Sequence, residues 1–391
     1  MYRIEVASAR VSEGEYQGAR KIFTWAKENG HIEKVEVLAF IEGDVSLKWI
    51  KDAGGKVNNL LTKGSLKHCQ NQLRKTPEQH IADIKEVLRL AREMDIRMNI
   101  YFEDWSNGMR NSPEYMYQML DALKDESIER FMLPDTLGIL NQQETYDFCM
   151  DMVSRYPELN FDFHAHNDYD LATANVFSAI KAGITGIHTT LNGLGERAGN
   201  VPLSSVIGVV KDHFKYEMNV KEDRLYHASK MLESFSGIRI PSNKPLIGEN
   251  VFTQTSGIHA DGDQKDDLYF NDLLPERFGR KRSYALGKMS GKASILKNLE
   301  ELGIELSKED ARLVTERVIE LGDKKEIITK EDLPYIISDV LRSKRVEERI
   351  RIRNFQLSVA RGLRSVATVA IEIDCQVYEE TASGDGQYDA C

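Results

Sequence analysis

The sequence predicts a parallel α/β fold of the TIM (β/α)8-barrel type, followed by a helical accessory subdomain and the start of a third, strand-bearing domain. Three observations carry this. From the first residues to about position 215, short apolar, β-branched runs alternate with helical patterns, as in βαβ units on a parallel sheet. The C-terminal ends of those runs are polar, which is where such a barrel places its reactive groups. After Phe214 the strand rhythm stops, helical patterns take over, and strands return from about 349.

The strand-like runs lie at 2–7, 35–40, 56–61, 97–103, 130–136, 160–166 and 186–192, with helical segments such as 77–93, 113–124 and 171–182 between them. A closed barrel takes eight strands, because strand number, tilt and shear are linked. Seven runs, the first at residue 2, read as a barrel lacking its first βα unit. The rival is an open doubly wound sheet, but no G-x-G-x-x-G follows any strand. Helices are expected at 222–235, 293–303, 308–322 and 331–342, around a long polar, glycine-rich stretch at 236–292, and long loops of that kind tend to be functional. Strands at 350–358 and 366–377 and a Gly384-Asp385-Gly386 turn close the chain, too few residues for an independent domain. The expected division is a catalytic barrel at 1–215, a helical accessory subdomain at 216–345, and at 346–391 an N-terminal fragment of a further domain.

Composition bounds the function. The chain of 391 residues is 41% hydrophobic and 29% charged, as expected of a soluble globular protein with a sizeable core. A net charge of −10 argues against a nucleic-acid surface. The basic run at 344–353 is offset by Glu347 and Glu348 and reads as a solvated linker. Cys69, Cys149, Cys375 and Cys391 have no metal-like or redox spacing and suit free thiols in a reducing compartment. No apolar run approaches the roughly 20 residues that span a bilayer, so no membrane partner is expected and a cytoplasmic address follows by default.

The polar strand ends are Glu103-Asp104, Asp135-Thr136, His164-Ala165-His166-Asn167-Asp168 and Asn192. His164 and His166 are two apart on a strand, so the period of two points both imidazoles to one face, as a divalent cation needs. A pair of hydrogen-bonded histidines is the bland alternative and stays open at this point. The glycine-punctuated loop NGLGERAGN (192–200) follows the next strand end and brings Asn200 toward the same place. Within the long stretch, His259, Asp261 and Tyr269 are candidate proton-transfer groups. An ordinary polar surface loop is the competing reading there.

The segments HAHNDYDLA (164–172), NGLGERAGN (192–200), SGIHADG (256–262) and GKMSGKASI (287–295) resemble the family of citramalate, 2-isopropylmalate and homocitrate synthases, nearest to its citramalate branch. VASARVSEGE (6–15), LLTKGSLKH (60–68), YFEDWSNG (101–108), LPDTLGIL (133–140) and LPERFGRKRSYALGK (274–288) extend the likeness over essentially the whole chain. The resemblance implies an acyltransferase that condenses acetyl-CoA with a 2-oxo acid, using a divalent metal such as Mg, Mn or Zn. It implies His164 and His166 as metal ligands with Asn200 beside them, Thr136 on the substrate carboxylate, and Glu103 as the catalytic carboxylate. His259, Asp261 and Tyr269 would transfer protons from an accessory region that reaches the partner subunit, so a homodimer is implied.

Family members open with a strand reading D-T-T-L-R-D-G-E-Q, which supplies a metal-binding Asp and a substrate-binding Arg. That strand is not found here, and the C-terminal part resembles only the start of an amino-acid-binding regulatory domain. The residues given are therefore expected to be cut short at both ends and impaired in turnover. By resemblance the substrate pocket contains Leu38, Leu61 and Tyr101, with no partner for a distal carboxylate. That favours pyruvate, giving (R)-citramalate toward isoleucine, over 2-oxoisovalerate, giving 2-isopropylmalate toward leucine. A lyase on the same barrel would carry a cysteine-bearing glycine loop, and no Cys lies between Cys149 and Cys375. An inactive fragment or binding-only relic is the alternative of another class.

Overall fold

The computed structural model describes residues 3–263, 265, 268–342, 350–360, 362–374 and 376–391. The chain forms two compact units, residues 1–252 with 270–281, and residues 253–269 with 282–391.

The first unit is built on seven strands, β1 (Ile4–Ser8), β2 (Val35–Ala39), β3 (Val57–Lys63), β4 (Arg97–Glu103), β5 (Ile128–Asp135), β6 (Phe161–Ala165) and β7 (Gly186–His188). They pair in consecutive order, every ladder parallel, and among the described residues β1 and β7 make no ladder with each other. Helices Glu13–Glu28, Val45–Ala53, Pro77–Glu93, Pro113–Leu123, Gln142–Arg155, Ala172–Lys181 and Leu203–Asp212 alternate with the strands. This is the (β/α)-barrel order that the alternating pattern predicts. The capping chemistry is equally local: Thr76 with Gln79 and Asn141 with Glu144 form reciprocal capping boxes that start two of these helices.

One strand face is apolar and covered by helices. Val37, Leu60, Ile100, Phe102, Phe131, Phe161 and Phe163 are fully buried there with Phe23, Ile50, Ile84 and Met116. The other face is polar. Asn59 donates its amide to Glu5 at 2.7 Å and to Glu36 at 3.0 Å, and Asn99 donates to Asn59 at 2.8 Å. Arg3 binds Glu36 at 2.8 Å and Glu129 at 2.9 Å. The last contact measures curvature. Adjacent strands lie about 4.8 Å apart, so the positions of β1 and β5 in a flat sheet would be separated by roughly 19 Å. Arg3 precedes β1 and Glu129 lies on β5, so the sheet curls with its polar face inward.

Strand ends differ from the sequence expectation in ways that matter for the site. β3 runs on to Lys63, two residues past the expected end, whereas β7 stops at His188, so Asn192 falls in a 3-10 turn at a left-handed φ of 59°. β6 ends at Ala165, leaving His166 just outside it.

In the second unit, helices Lys292–Glu301, Lys308–Asp323 and Leu333–Arg342 pack around Ile295, Leu299, Val314, Val318, Leu333 and Ile336. An antiparallel sheet follows, with strands Ile350–Ser358, Ser365–Ile373 and Gln376–Gly384. The expected single strand at 366–377 is two strands, because Asp374 takes a left-handed φ of 48° and turns the chain. The expected linker at 344–353 falls largely outside the described residues, as does Cys375.

His80 is fully buried on helix Pro77–Glu93, and its Nε2 accepts the Lys63 N–H at 3.1 Å. Burial pushes its pKa down from the ordinary 6.5 to about 4. Between those values the unfolded chain binds more protons than the folded one, so the contribution is complete above about pH 6.5 and is lost as pH falls toward 4. In denaturant titrations the wild type should lose on the order of 3 kcal/mol from this residue between pH 7 and 4. His80→Gln, which offers a non-titrating acceptor, should show a correspondingly flatter pH profile. Identical profiles would mean that another group titrates.

Candidate active site

Register sets the inner face at the C-terminal ends of the strands. Leu61 lies opposite Tyr101, and Lys63 opposite Glu103, while Leu38 on β2 lies opposite Asn59. Partners in a parallel ladder point to the same side, so Leu38, Leu61, Lys63, Tyr101 and Glu103 all share the inward face of Asn59. Lys63 forms an ion pair with Glu103, their side chains only 10% and 25% exposed. The Lys63 backbone is held from outside the barrel as well. Its N–H goes to His80, and its carbonyl accepts the Tyr115 hydroxyl at 3.0 Å, so two buried side chains from two outer helices hold the backbone on both sides of the Lys63 Cα.

After Glu103 the chain turns sharply at Asp104, which takes a left-handed φ of 67°. A non-glycine residue persists there only when its surroundings over-determine it. Here the Asp104 N–H donates to Thr136 Oγ1 at 2.8 Å, and its carboxylate accepts Ser65 Oγ at 2.7 Å and Asn107 Nδ2 at 2.8 Å. The helix Trp105–Asn111 then passes so close to the end of β3 that a Cβ on Gly108 would overlap the Gly64 carbonyl. Because the Thr136 oxygen is used as an acceptor, its own O–H remains a donor for the site. Arg197 latches the 192–200 loop to this corner, donating to the Thr136 carbonyl at 2.8 Å and to Asp168 at 2.7 and 3.0 Å.

His164 stands on β6 opposite His188 on β7, with ring centres 5.6 Å apart, and the Tyr101 ring meets His164 edge-on at 5.7 Å. The His166 ring is 5.0 Å from that of His164. His166 is brought there by a bridge to Asn200 rather than by strand periodicity alone. The loop that delivers Asn200 is tight: Gly193 and Gly199 have φ of 74° and 85°, and a Cβ on Gly199 would overlap the Gly193 carbonyl.

Burial, reinforced by His188 and His166, holds His164 well below the ordinary imidazole range. His166 is lowered as well, by burial and by Arg197. Both rings are therefore neutral, the form that ligates cations. His166 Nδ1 and Asn200 Oδ1 are buried and make no hydrogen bond of good geometry, although the Asn200 side chain lies close enough to His164 to act on its pKa, in the upward direction. Two neutral imidazoles with an orphaned nitrogen and an orphaned amide oxygen suit a divalent cation. Among the described residues no group of three or more His, Cys, Asp or Glu is arranged to hold one.

Behind them sits a charged layer that the sequence reading missed. Asp162 accepts Arg130 Nε at 2.7 Å and lies 3.3 Å from His188 Nε2. Burial opposes both charges, but their mutual hydrogen bond wins: the His188 pKa is raised and the Asp162 pKa, with Arg130 helping, is lowered. Strand alternation through Phe161, Phe163 and Ala165 signals that Asp162 faces inward. Lys63 carried the same signal, two residues beyond Leu61. Nothing in the local sequence of His80 marks it.

The second unit holds the other predicted residues. The His259 and Tyr269 rings meet at a tilt of 37° with centres 4.2 Å apart, the Tyr269 ring lying where a Cβ on Gly262 would be, and His259 Nδ1 is 3.2 Å from Gln254 Oε1. Asp261 is exposed and paired with Lys265 at 2.6 Å. His259 and Tyr269 are thus brought together, while the Asp261 carboxylate is engaged elsewhere.

A family model described as HMGL-like matches residues 1–232. The chain belongs to the HMGL-like family. Models described as homocitrate synthase post-HMGL domain-like and as LeuA allosteric (dimerisation) domain match residues 246–326 and 327–391 of this HMGL-like chain. The (R)-citramalate synthase of Methanocaldococcus jannaschii is 29% identical over 99% of this chain and 77% of its own length. The 2-isopropylmalate synthase of the same organism is 31% identical over 83% of this chain and 62% of its own. Among solved structures, the HMG-CoA lyase of Bacillus subtilis superposes with a TM-score of 0.52 at 21% identity, covering 62% of this chain and 83% of that one, which speaks to the fold alone.

The orphaned atoms give a direct test. Calorimetric titration with Mn²⁺ or Zn²⁺ should show binding that His166→Ala or Asn200→Ala weakens by at least about tenfold. Unchanged affinity in both would remove these residues from the cation site.

Proposed function

We propose that this chain joins acetyl-CoA to a 2-oxo acid in a Claisen-type condensation, with pyruvate as the 2-oxo acid and (R)-citramalate as the product. The observation that carries the reading is the shared inner face: a pocket wall of Leu38, Leu61 and Tyr101 beside His164, with His166 and Asn200 adjoining. The family and the synthases among its relatives support the reaction class. Bulky aliphatic and aromatic walls suit a substrate with only a methyl group to house.

His164, His166 and Asn200 would hold the divalent cation, which supplies the charge that polarises the keto group. Thr136 directs its free O–H to the substrate carboxylate. Glu103, at the end of β4, is the proposed base. It takes a proton from the thioester methyl, and the electron pair left on that carbon forms the new bond to the keto carbon, whose oxygen gains a proton. Water then cleaves the thioester, releasing CoA and a 2-hydroxy diacid. His259 and Tyr269 are the remaining proposed proton-transfer groups, with Asp261 joining them once released from Lys265. The match to a dimerisation domain supports a homodimer. No helix among the described residues is long and apolar enough to cross a membrane; the address we propose is cytoplasmic.

2-Oxoisovalerate is the close alternative, supported by the 2-isopropylmalate synthase relative. One methylene in such a pocket discriminates by only about 1–3 kcal/mol. In a thiol-release assay with acetyl-CoA, pyruvate should give the higher kcat/KM, and the reverse order would move the assignment to 2-isopropylmalate synthesis. His259→Ala should lower kcat by about 10²–10⁴ with little change in the midpoint of thermal unfolding. An unchanged kcat would take His259 out of the proton path.

A further inference from the structure

The Lys63–Glu103 ion pair is absent from the roles assigned so far, and its setting is unusual. A lysine on the inner face of a barrel, 10% exposed, needs a counter-ion, and the one it has is the carboxylate proposed as the base. It stands at the mouth, two residues beyond Leu61 on the same face, so it borders the wall that contacts the 2-oxo acid. Thr136 accepts the amide of Asp104, the residue after Glu103, so Lys63 and Thr136 flank one dipeptide. Three arginines that face the barrel interior or its mouth are engaged by other groups: Arg197 by Asp168 and the Thr136 carbonyl, Arg130 by Asp162, and Arg3 by Glu36 and Glu129. The Lys63 backbone is also held by His80 and Tyr115, so its placement is fixed from two sides.

We propose that Lys63 is the cation that recognises the carboxylate of the 2-oxo acid, and that the incoming carboxylate displaces Glu103 from it. In the free protein Lys63 and Glu103 occupy each other. When a 2-oxo acid enters, its carboxylate accepts from the Lys63 ammonium and the Thr136 hydroxyl, and Glu103 is released to accept a proton. Substrate binding and exposure of the base become one event, so acetyl-CoA meets a free Glu103 only when the second substrate is present. This rests on the condensation reading and adds a specificity-determining residue to it.

The test measures binding and turnover separately on the full chain. Calorimetric titration with pyruvate should show Lys63→Met weakened by at least about tenfold, as expected on losing a charge-assisted hydrogen bond, and Lys63→Arg restored in part. Glu103→Gln removes the competing carboxylate, so it should bind pyruvate at least as tightly as the wild type while losing turnover. In steady state Lys63→Met should raise KM for the 2-oxo acid and leave KM for acetyl-CoA within about twofold, a split that general destabilisation does not produce. Thermal unfolding of each variant reports whether it folds, and the arginine variant keeps the test available if the methionine one does not. Pyruvate affinity unchanged in Lys63→Met, or equal weakening in Lys63→Met and Glu103→Gln, would overturn the proposal and leave the condensation reading standing. A wild type that binds and condenses no 2-oxo acid would overturn both.

Discussion

The polar inner face is the constraint on which the rest of the first unit depends. A strand covered by helices on one side and by its own sheet on the other is buried twice, and a parallel sheet usually answers with apolar residues throughout. Here Glu36, Asn59, Asn99 and Asp162 are all nearly inaccessible and face inward. An unpaired buried charge is costly, so each must find a partner across the interior. Many of these partners lie on adjacent strands, as Arg130 and His188 do for Asp162, but two contacts reach further, Asn59 to Glu5 and Arg3 to Glu129. Only a curled sheet brings those strands within reach. Curvature, interior polarity and a water-facing mouth with reactive ends are therefore one arrangement seen at three depths.

The layering along the inner face follows from that. Near the start of the strands the polar groups satisfy one another, and the Asp162–His188 pair with Arg130 closes the next level. Above it Tyr101, His164 and His166 form an aromatic layer in which the imidazoles are neutral, and at the mouth Lys63, Glu103 and Thr136 face the site. Charge is paired at every level, by Asp162 with Arg130 and His188 below and by Lys63 with Glu103 at the mouth.

Much of the fold was legible because it rests on period and local chemistry. The alternation of β-branched runs with helices located all seven strands, and the capping residues Thr76 and Asn141 stand in plain sight. The neighbourhood of the motif residues was legible in part: His164 and His166 do lie side by side, though His166 falls outside the strand and is placed by its bridge to Asn200. What the sequence hid is contact at long separation. His80 looks like any helical residue until the Lys63 amide, 17 residues earlier, is placed against it. Lys63 looked like a loop residue because the strand was ended two positions early, at the last apolar side chain. Period alone would have kept it, but a charge inside a barrel contradicts the usual pattern and is believable only once Glu103 is seen beside it. The turn at Asp374 was missed because nothing apolar changes across it.

The grip on the Lys63 backbone places part of the active-site geometry in the outer helical layer. Tyr115 and His80 stand on the helical side of the strand, and each reaches Lys63 through one hydrogen bond to its backbone. Binding geometry tolerates displacement of only about 0.5 Å. Lineages of this protein can therefore drift in which 2-oxo acid they prefer through changes at helix positions that no comparison of pocket-lining residues would flag. Two chains with the same pocket residues need not share a substrate, and the first place to look for the difference is the pair of helix residues that hold the end of β3.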